Sequence, residues 1–511
     1  MTGARTMGRL HGVGVGPGDP DLMTVRAVEL IRDADVVAYH CARHGRSNAR
    51  AIAARYLGTQ IEECLTYPVT TEATDHPGGY QGALDAFYAD AATRLAAHLD
   101  AGRDVVVLAE GDPFFYGSYM HLHKRLAHRY PAEVVPGVTS VNAAAAALGR
   151  PLVERDEVLT VLPGTLPPDE LARRLATTDA AAVMKLGRTF AGVRAALAES
   201  GRLDEAWYVE RASTDRERSG PLAEVDPDSV PYFSVGVVPS RVHAATTGQA
   251  RAETEARGTT GTGGVGEVVV VGLGPGGRDR LTPVASAALA AADDVVGYST
   301  YTARVAPNPR QRVHASDNKV ESERAAFALD LARAGRRVAV VSSGDPGVFA
   351  MASAVVEVAV DYPDVEVRVV PGVSAAQAVA ARVGAPLGHD FAMISLSDRL
   401  KPWDVVQRRL AAVADADMAL ALYNPASRTR TWQLEAAREV LLKYRDPSTP
   451  VVLGRDVDGP EESVRVVSLG ELDPAEVDMR TLLIVGSSTT RWPAPGTVFT
   501  PRRHPGAASS T

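Results

Sequence analysis

Val13 to Thr24 reads VGVGPGDPDLMT, and Val271 to Thr282 reads VGLGPGGRDRLT. Each is an apolar run that breaks into glycine and proline, then leads through a helical segment to Ala-Asp-Val-Val (34–37) or Asp-Asp-Val-Val (293–296). The likeness continues downstream. VVVLAEGDP at Val105–Pro113 faces VAVVSSGDP at Val338–Pro346, and VVPGVTSVNAAAAALGRPL at Val134–Leu152 faces VVPGVSAAQAVAARVGAPL at Val369–Leu387. Three matched blocks in the same order exclude chance, so the chain is an internal duplication half a chain long.

Within each copy, short Val-rich runs alternate with Ala-rich segments of helical period, the pattern of parallel strands joined by crossover helices. Thr24 and Thr282 stand where each would cap the following helix, and Pro283 suits a first helical position. The glycine stretches therefore fall at strand-to-helix turns. In open α/β sheets ligands bind at the carboxyl ends of the strands, which makes these turns the first place to look for a site. The expected fold class is α/β in two tandem modules, at 1–243 and 265–495. Between them, 244–264 is rich in Gly, Thr, Ala and Glu without apolar periodicity, the composition of a flexible linker. A tail at 496–511 is expected to fray.

A chain of 511 residues exceeds the size at which one core keeps growing. With 45% apolar and 23% charged residues it reads as an ordinary globular protein. No apolar run reaches the roughly 18 residues needed to span a bilayer, and the start carries no signal-peptide pattern, so a cytoplasmic, membrane-free protein is expected. Cys41 and Cys64 are too few for a disulfide framework and are read as incidental thiols in a reducing compartment. The net charge of -8, without a basic run, argues against nucleic acid. No metal-ligand spacing occurs, and no Ser-His-Asp set can be assembled.

Gly272, Gly274 and Gly277 satisfy G-x-G-x-x-G, a dinucleotide-binding pattern. The first copy has Asp19 at the third position, however. Both helices also begin several residues past the glycines, whereas a pyrophosphate needs the helix to start at the loop. Asp112 and Asp345 have two readings: turn residues of Gly-Asp-Pro, or carboxylates directed at a cationic or amino ligand. Their recurrence at a strand end favours the second. Thr139, Ser140 and Ser374 are placed either to cap helices or to bond ligand, and both readings stand.

The order G-x-G-P-G, Gly-Asp-Pro, V-V-P-G-V-[TS] resembles the tetrapyrrole methylase family, twice, over nearly the whole chain. The first half resembles precorrin-2 C(20)-methyltransferases through GVGVGPGDPDLMT, AEGDPFFYGS, MKLGRT and VERAS. The second resembles precorrin-3B C(17)-methyltransferases through GYSTYT (297–302), SSGDPGVFAM (342–351), SLSDRLKPW (395–403) and YNPASRTR (423–430). The resemblance implies two tetrapyrrole-methylase modules, each of two α/β lobes with a cofactor cleft between them. It implies S-adenosylmethionine as methyl donor, tetrapyrrole substrates and a homodimer.

Cofactor contacts carried over from the family are Pro17, Glu110, Gly111, Asp112, Thr139, Ser140, Met184 and Ala212 in the first copy. In the second they are Pro275, Ser343, Gly344, Asp345, Ser374, Ala375, Tyr423 and Asn424. Met184 against Tyr423-Asn424 is a departure between the halves. The implied reactions are C-20 methylation of precorrin-2 to precorrin-3A, and C-17 methylation of precorrin-3B with ring contraction to precorrin-4. Contraction moves protons, and Asp398, Lys401 and Arg428 are the candidates for that work. Substrate carboxylates call for cations, matched by His40, Arg43, His44 and Arg46, and by Lys319, Arg399, Lys401, Arg428 and Arg430. A solvated loop is the competing reading of these. The alternatives are a catalytically inactive scaffold half and another tetrapyrrole such as uroporphyrinogen III. Complete motifs in each copy lead to the expectation that the halves fold and work independently.

Overall fold

The computed structural model describes residues 7–42, 45–68, 76–153, 157–239, 265–317, 321–399, 401–427 and 430–501. The expected linker 244–264, and Arg43, His44, Lys319 and Arg428, lie outside the described residues, as does all but the start of the expected tail.

In the first copy, β1 (Leu10–Gly14), β2 (Val36–Cys41), β3 (Ile61–Thr66), β4 (Val105–Ala109) and β5 (Ala132–Val135) form a parallel sheet in the order β3-β2-β4-β1-β5. The central strands are apolar on both faces because helices cover both, as a parallel sheet requires; Val105 to Leu108 are each at most 1% exposed. Helix α1 (Val25–Asp33) is capped as expected, the Thr24 hydroxyl accepting from the Ala27 N–H at 3.2 Å. It buries Ala27, Val28 and Ile31 on the sheet. Helix α2 (Asn48–Ala53) follows β2 on the same side.

The second lobe adds β6 (Val158–Pro163), β7 (Ala180–Met184), β8 (Trp207–Glu210), β9 (Arg218–Pro221) and β10 (Ser234–Val238), ordered β6-β7-β10-β8-β9. The second copy repeats this design. Strands β11 (Glu267–Gly272), β12 (Asp294–Tyr298), β13 (Arg312–Ser316), β14 (Val338–Ser342) and β15 (Glu366–Val370) are ordered β13-β12-β14-β11-β15. A two-residue β16 (Gly384–Ala385) precedes its second lobe: β17 (Phe391–Ser395), β18 (Ala419–Tyr423), β19 (Pro450–Arg455), β20 (Ser463–Ser468) and β21 (Thr481–Val485), ordered β17-β18-β21-β19-β20.

The two second lobes are one sheet. Strand β6 pairs antiparallel with β17, Val158 opposite Ile394 and Val161 opposite Phe391, to give ten continuous strands. The cores on both faces of this sheet mix residues of the two copies. Phe115 of the first copy meets Phe391 of the second edge-on at 5.5 Å. Arg174 pairs with Asp390 at 2.6 Å, and Arg409 reaches back to Asp179. The first lobes touch as well, the Val25 N–H donating to the Leu281 carbonyl at 3.2 Å. The expectation of two independent units is therefore corrected. Among the described residues, each copy presents an apolar strand edge and sheet face that the other covers.

The incidental-thiol reading is also corrected: Cys41 and Cys64 form a disulfide. They sit on the adjacent parallel strands β2 and β3, where Tyr39 is the partner of Cys64. The cysteines are thus two residues out of register and on one face, 6.3 Å apart between Cα atoms, within bridging distance.

Candidate functional site

Three turns meet at the carboxyl end of each parallel sheet, and they meet backbone to backbone. In the first copy the turns after β1 and β4 exchange amide hydrogen bonds, Gly111 donating to Gly16 at 2.8 Å and Gly16 to Gly111 at 3.3 Å. A Cβ on Gly14 would lie 2.6 Å from the Gly111 oxygen and 2.7 Å from the Gly137 nitrogen, so the turn after β5 closes on the same point. The second copy matches it. A Cβ on Gly272 would lie 2.8 Å from the Gly372 nitrogen and 2.9 Å from the Gly344 oxygen. These glycines exist for close approach, not for phosphate binding at a helix terminus.

The Gly-Asp-Pro carboxylates lock the cluster. Asp112 accepts from Phe114 N–H at 2.9 Å and from Gly137 N–H at 3.1 Å. Asp345 accepts from Gly347 at 2.9 Å and Gly372 at 3.0 Å. Both are buried, at 3% and 4% exposure, and burial pushes them up to about 7 and about 6 while the amides pull the other way. Each carboxylate ties the turn after one strand to the turn after another. Asn142 of the first copy reaches Asp345 of the second, so the clamps are not insulated from each other.

Thr139 and Ser374 serve as helix caps, accepting from the N–H groups of Asn142 and Gln377, and both are buried. Ser140 and Ala375 open those helices, α3 (Ser140–Ala147) and Ala375–Val383.

The lobes face each other across these turns. A Cβ on Gly18 would lie 3.0 Å from the Ala212 oxygen, and Ser213 accepts from the Asp19 N–H at 3.0 Å. In the second copy Gly276 approaches Asp458 in the same manner, and Arg280 pairs with Asp458 at 2.9 Å. Met184 and Tyr423 end equivalent strands, β7 and β18. Tyr423 oxygen accepts from the Ala376 N–H at 3.2 Å, which ties the second lobe to the first; burial pushes its hydroxyl up to about 12.

Sequence reasoning missed a recurring strain. Tyr116 and Phe349, Lys185 and Asn424, Arg211 and Asp456, and Ser213 and Asp458 all have left-handed φ, between 48° and 66°, at corresponding places in the two copies. All lie where the lobes meet. Such backbone costs about 1–3 kcal/mol at each residue and persists where a cleft needs a particular shape.

The other candidates are spread wider. Asp398 accepts from Gln433 at 3.0 Å, and Arg430 donates to the carbonyls of Leu396 and Asn424 at 3.3 and 3.1 Å, so both brace the second lobe. Lys401 has its Nζ buried, and Arg399 is exposed. His40 is no surface cation: it stacks on Tyr67 at 5.3 Å beside Phe87 and Tyr88, and burial pushes it down to about 4. Arg46 is exposed. Arg304, which carries no motif that would single it out, donates to Ser343 Oγ at 3.0 Å and to the Leu273 and Gly274 carbonyls at 3.1 and 2.7 Å. It borders a cavity of 660 Å³ lined by Arg278, Leu281, Leu289 and Gln311, and on the far side by Val25 and Glu29 of the first copy.

A paired two-lobe α/β fold with close-packed glycine turns at the strand ends of each copy defines a duplicated α/β protein with a ligand cleft between the lobes of each half. The family of Tetrapyrrole (Corrin/Porphyrin) Methylases matches residues 9–226 and 267–473. The chain is 60% identical over 512 aligned positions to the Cobalamin biosynthesis protein CobIJ of Mycobacterium bovis, covering 99% of this chain and 97% of that one. It is 53% identical to a Precorrin-2 C(20)-methyltransferase of a Sinorhizobium species, over 46% of this chain and 96% of the relative. A Precorrin-3B C(17)-methyltransferase from a Sinorhizobium species is 48% identical, over 48% of this chain and 99% of the relative. The chain belongs to the tetrapyrrole methylase family. It is an S-adenosylmethionine-dependent C-methyltransferase of cobalamin biosynthesis.

Proposed function

We propose that the first half methylates precorrin-2 at C-20, giving precorrin-3A, and that the second methylates precorrin-3B at C-17 with ring contraction, giving precorrin-4. The observation that carries this is the doubling itself. One chain holds two complete clefts, the C(20)-type motifs in the first and the C(17)-type motifs in the second, and it aligns along its length with a fused relative.

The residues present suit an adenosyl cofactor, because the turns at Gly111 and Gly344 are bare backbone with no neighbouring atom nearer than 3.8 Å to where a Cβ would stand. When bound, S-adenosylmethionine supplies an electrophilic methyl group. Pro17, Gly111, Met184 and Ala212, with Pro275, Gly344, Tyr423 and Asn424, are the residues that would hold it. Asp112 and Asp345 fix the turns, and Thr139 and Ser374 fix the helices behind them. The protein's task is then alignment of donor and acceptor and exclusion of water. Asp398 and Lys401, with Arg428, stay candidates for the proton movements of ring contraction.

We infer that the β6 to β17 seam pairs the two modules within one chain; association of two such chains as a homodimer stays part of the proposal. Among the described residues no helix is long and apolar enough to cross a membrane. Incubation with labelled S-adenosylmethionine and each precorrin, with product masses read separately, tests the assignment. Methylation of only one substrate would make the other half a scaffold, and methylation of uroporphyrinogen III instead would replace both assignments.

A further inference from the structure

The repeated turn carries different chemistry at one position in its two copies. Glu110 follows β4 in the first, and Ser343 follows β14 in the second. Glu110 keeps some accessible surface beside the turn at the floor of its cleft, but its carboxyl is crowded by the surrounding protein and accepts a hydrogen bond from the Ala49 N–H in the first turn of α2. Ser343 is instead covered by the Arg304 guanidinium. A carboxylate in one cleft is thus replaced by a cation in the other, on a backbone that is otherwise the same.

The two assigned reactions differ in what they must do with a proton, and the inference rests on that assignment. Methylation at C-20 attacks a bridging carbon that bears one hydrogen. A new C–C bond forms, the cofactor's C–S bond breaks with its electron pair going to sulfur, and conjugation returns only when the bridging carbon gives up its hydrogen as a proton. Methylation at C-17 attacks a ring carbon that bears a side chain and no hydrogen, so no proton leaves that atom. One cleft needs a base beside the methylated carbon, and the other does not.

We propose that Glu110 accepts the proton displaced from the bridging carbon in the first cleft. Its place fits: the carboxylate stands next to Gly111 in the turn that forms the cleft floor, and the Ala49 amide fixes it there. Burial pushes it up to about 7, which suits a group that must take up a proton and release it again. Among the described residues, three titratable groups on the elements around it are otherwise placed. His40 on β2 is pushed down to about 4 by burial, and Arg50 on α2 is held by Glu62. Asp112, in the same turn, has both oxygens on backbone amides.

The test uses the full chain with Glu110→Gln and Glu110→Asp. Glu110→Gln should keep two cofactor sites by calorimetry and unchanged C-17 methylation. Its kcat for C-20 methylation should fall on the order of 100-fold or more, with KM little changed. The wild-type kcat should rise with pH through about 7 as the carboxyl ionises. That limb should vanish in Glu110→Gln and return, at lower rate, in Glu110→Asp. C-20 turnover within threefold of wild type would overturn the proposal, as would a loss confined to cofactor affinity, which would make Glu110 a cofactor contact. Wild-type protein that leaves precorrin-2 unmethylated would overturn the underlying assignment instead.

Discussion

Cutting the folded chain between residues 244 and 264 should leave its halves bound to each other, and Arg174→Ala should then let them part. Arg174 on α4 (Pro168–Thr177) donates to Asp390 at 2.6 Å across the seam, with Asp390 only 3% exposed and Arg174 16%. Removing one partner of such a pair leaves the other charge buried, at a cost of about 3–5 kcal/mol. Each survivor has a second contact, Arg174 with Glu170 at 2.7 Å and Asp390 with His389 at 3.3 Å, which favours the lower figure. About 3 kcal/mol corresponds to a loss of roughly two decades in the association constant.

The assay places a protease site in this segment, cleaves the native protein, and follows the fragments by sedimentation over a dilution series. Cleaved wild type should sediment as one particle and keep both activities. Arg174→Ala should shift dissociation about 100-fold upward in concentration, and Asp390→Ala in the Arg174→Ala background should add much less than it does alone. Phe391→Ala, which empties a fully buried ring site against Phe115, gives an independent check worth about 3–5 kcal/mol. Wild-type fragments that separate at micromolar concentration with activity intact would refute the shared-core reasoning.

Three further outcomes are expected. Asp345→Asn keeps one acceptor but turns an NH2 donor toward the Gly347 or Gly372 amide, so calorimetry should find one of two cofactor sites weakened. Because burial raises this carboxyl from 3.8 to about 6, its contribution to stability is full below pH 3.8 and is lost as pH rises through 6; the Asn variant should lack that slope, worth roughly 3 kcal/mol in denaturant titrations. Gly137→Ala would put a Cβ 2.1 Å from the Gly111 oxygen, and the first cleft should lose its cofactor while the second keeps it; two intact sites would show that the turns can spread. Thiol titration of denatured, unreduced protein should read zero per chain and rise to two after reduction, and free thiols before reduction would contradict the Cys41 to Cys64 bridge.

The parts of this fold legible in the sequence are those written in local pattern. The doubled glycine turns, the Thr24 and Thr282 caps and the strand-to-helix placement of the site follow from periodicity and turn chemistry, which act within a few residues. The seam is different. VLTVLP of β6 and FAMIS of β17 read as ordinary buried strands, and nothing in their spacing says that each is the other's neighbour. The disulfide was hidden for a similar reason, because the register of two parallel strands is set by the sheet and not by either strand alone. Recurrence of Asp112 and Asp345 pointed toward ligand, whereas the fold turns both carboxylates onto amides of neighbouring turns. Recurrence marks a shared constraint without saying which kind.

That distinction bears on whether both halves work. In a chain whose copies were independent, intact motifs in each would argue that each is under demand for catalysis. Here the second lobes share one sheet, Val153 of the first copy bonds Gly347 beside the second copy's clamp, and Asn142 reaches Asp345. Decay of the turns in one half would loosen the other, so glycines and clamp aspartates are held in place whether or not both clefts turn over. The informative positions are those the shared scaffold does not need. Glu110 and the Ser343 to Arg304 pair replace each other without disturbing the backbone beneath them, and their divergence follows the difference between a carbon that must lose a proton and one that has none to lose. Two clefts kept alike only for stability would have no reason to part in that way.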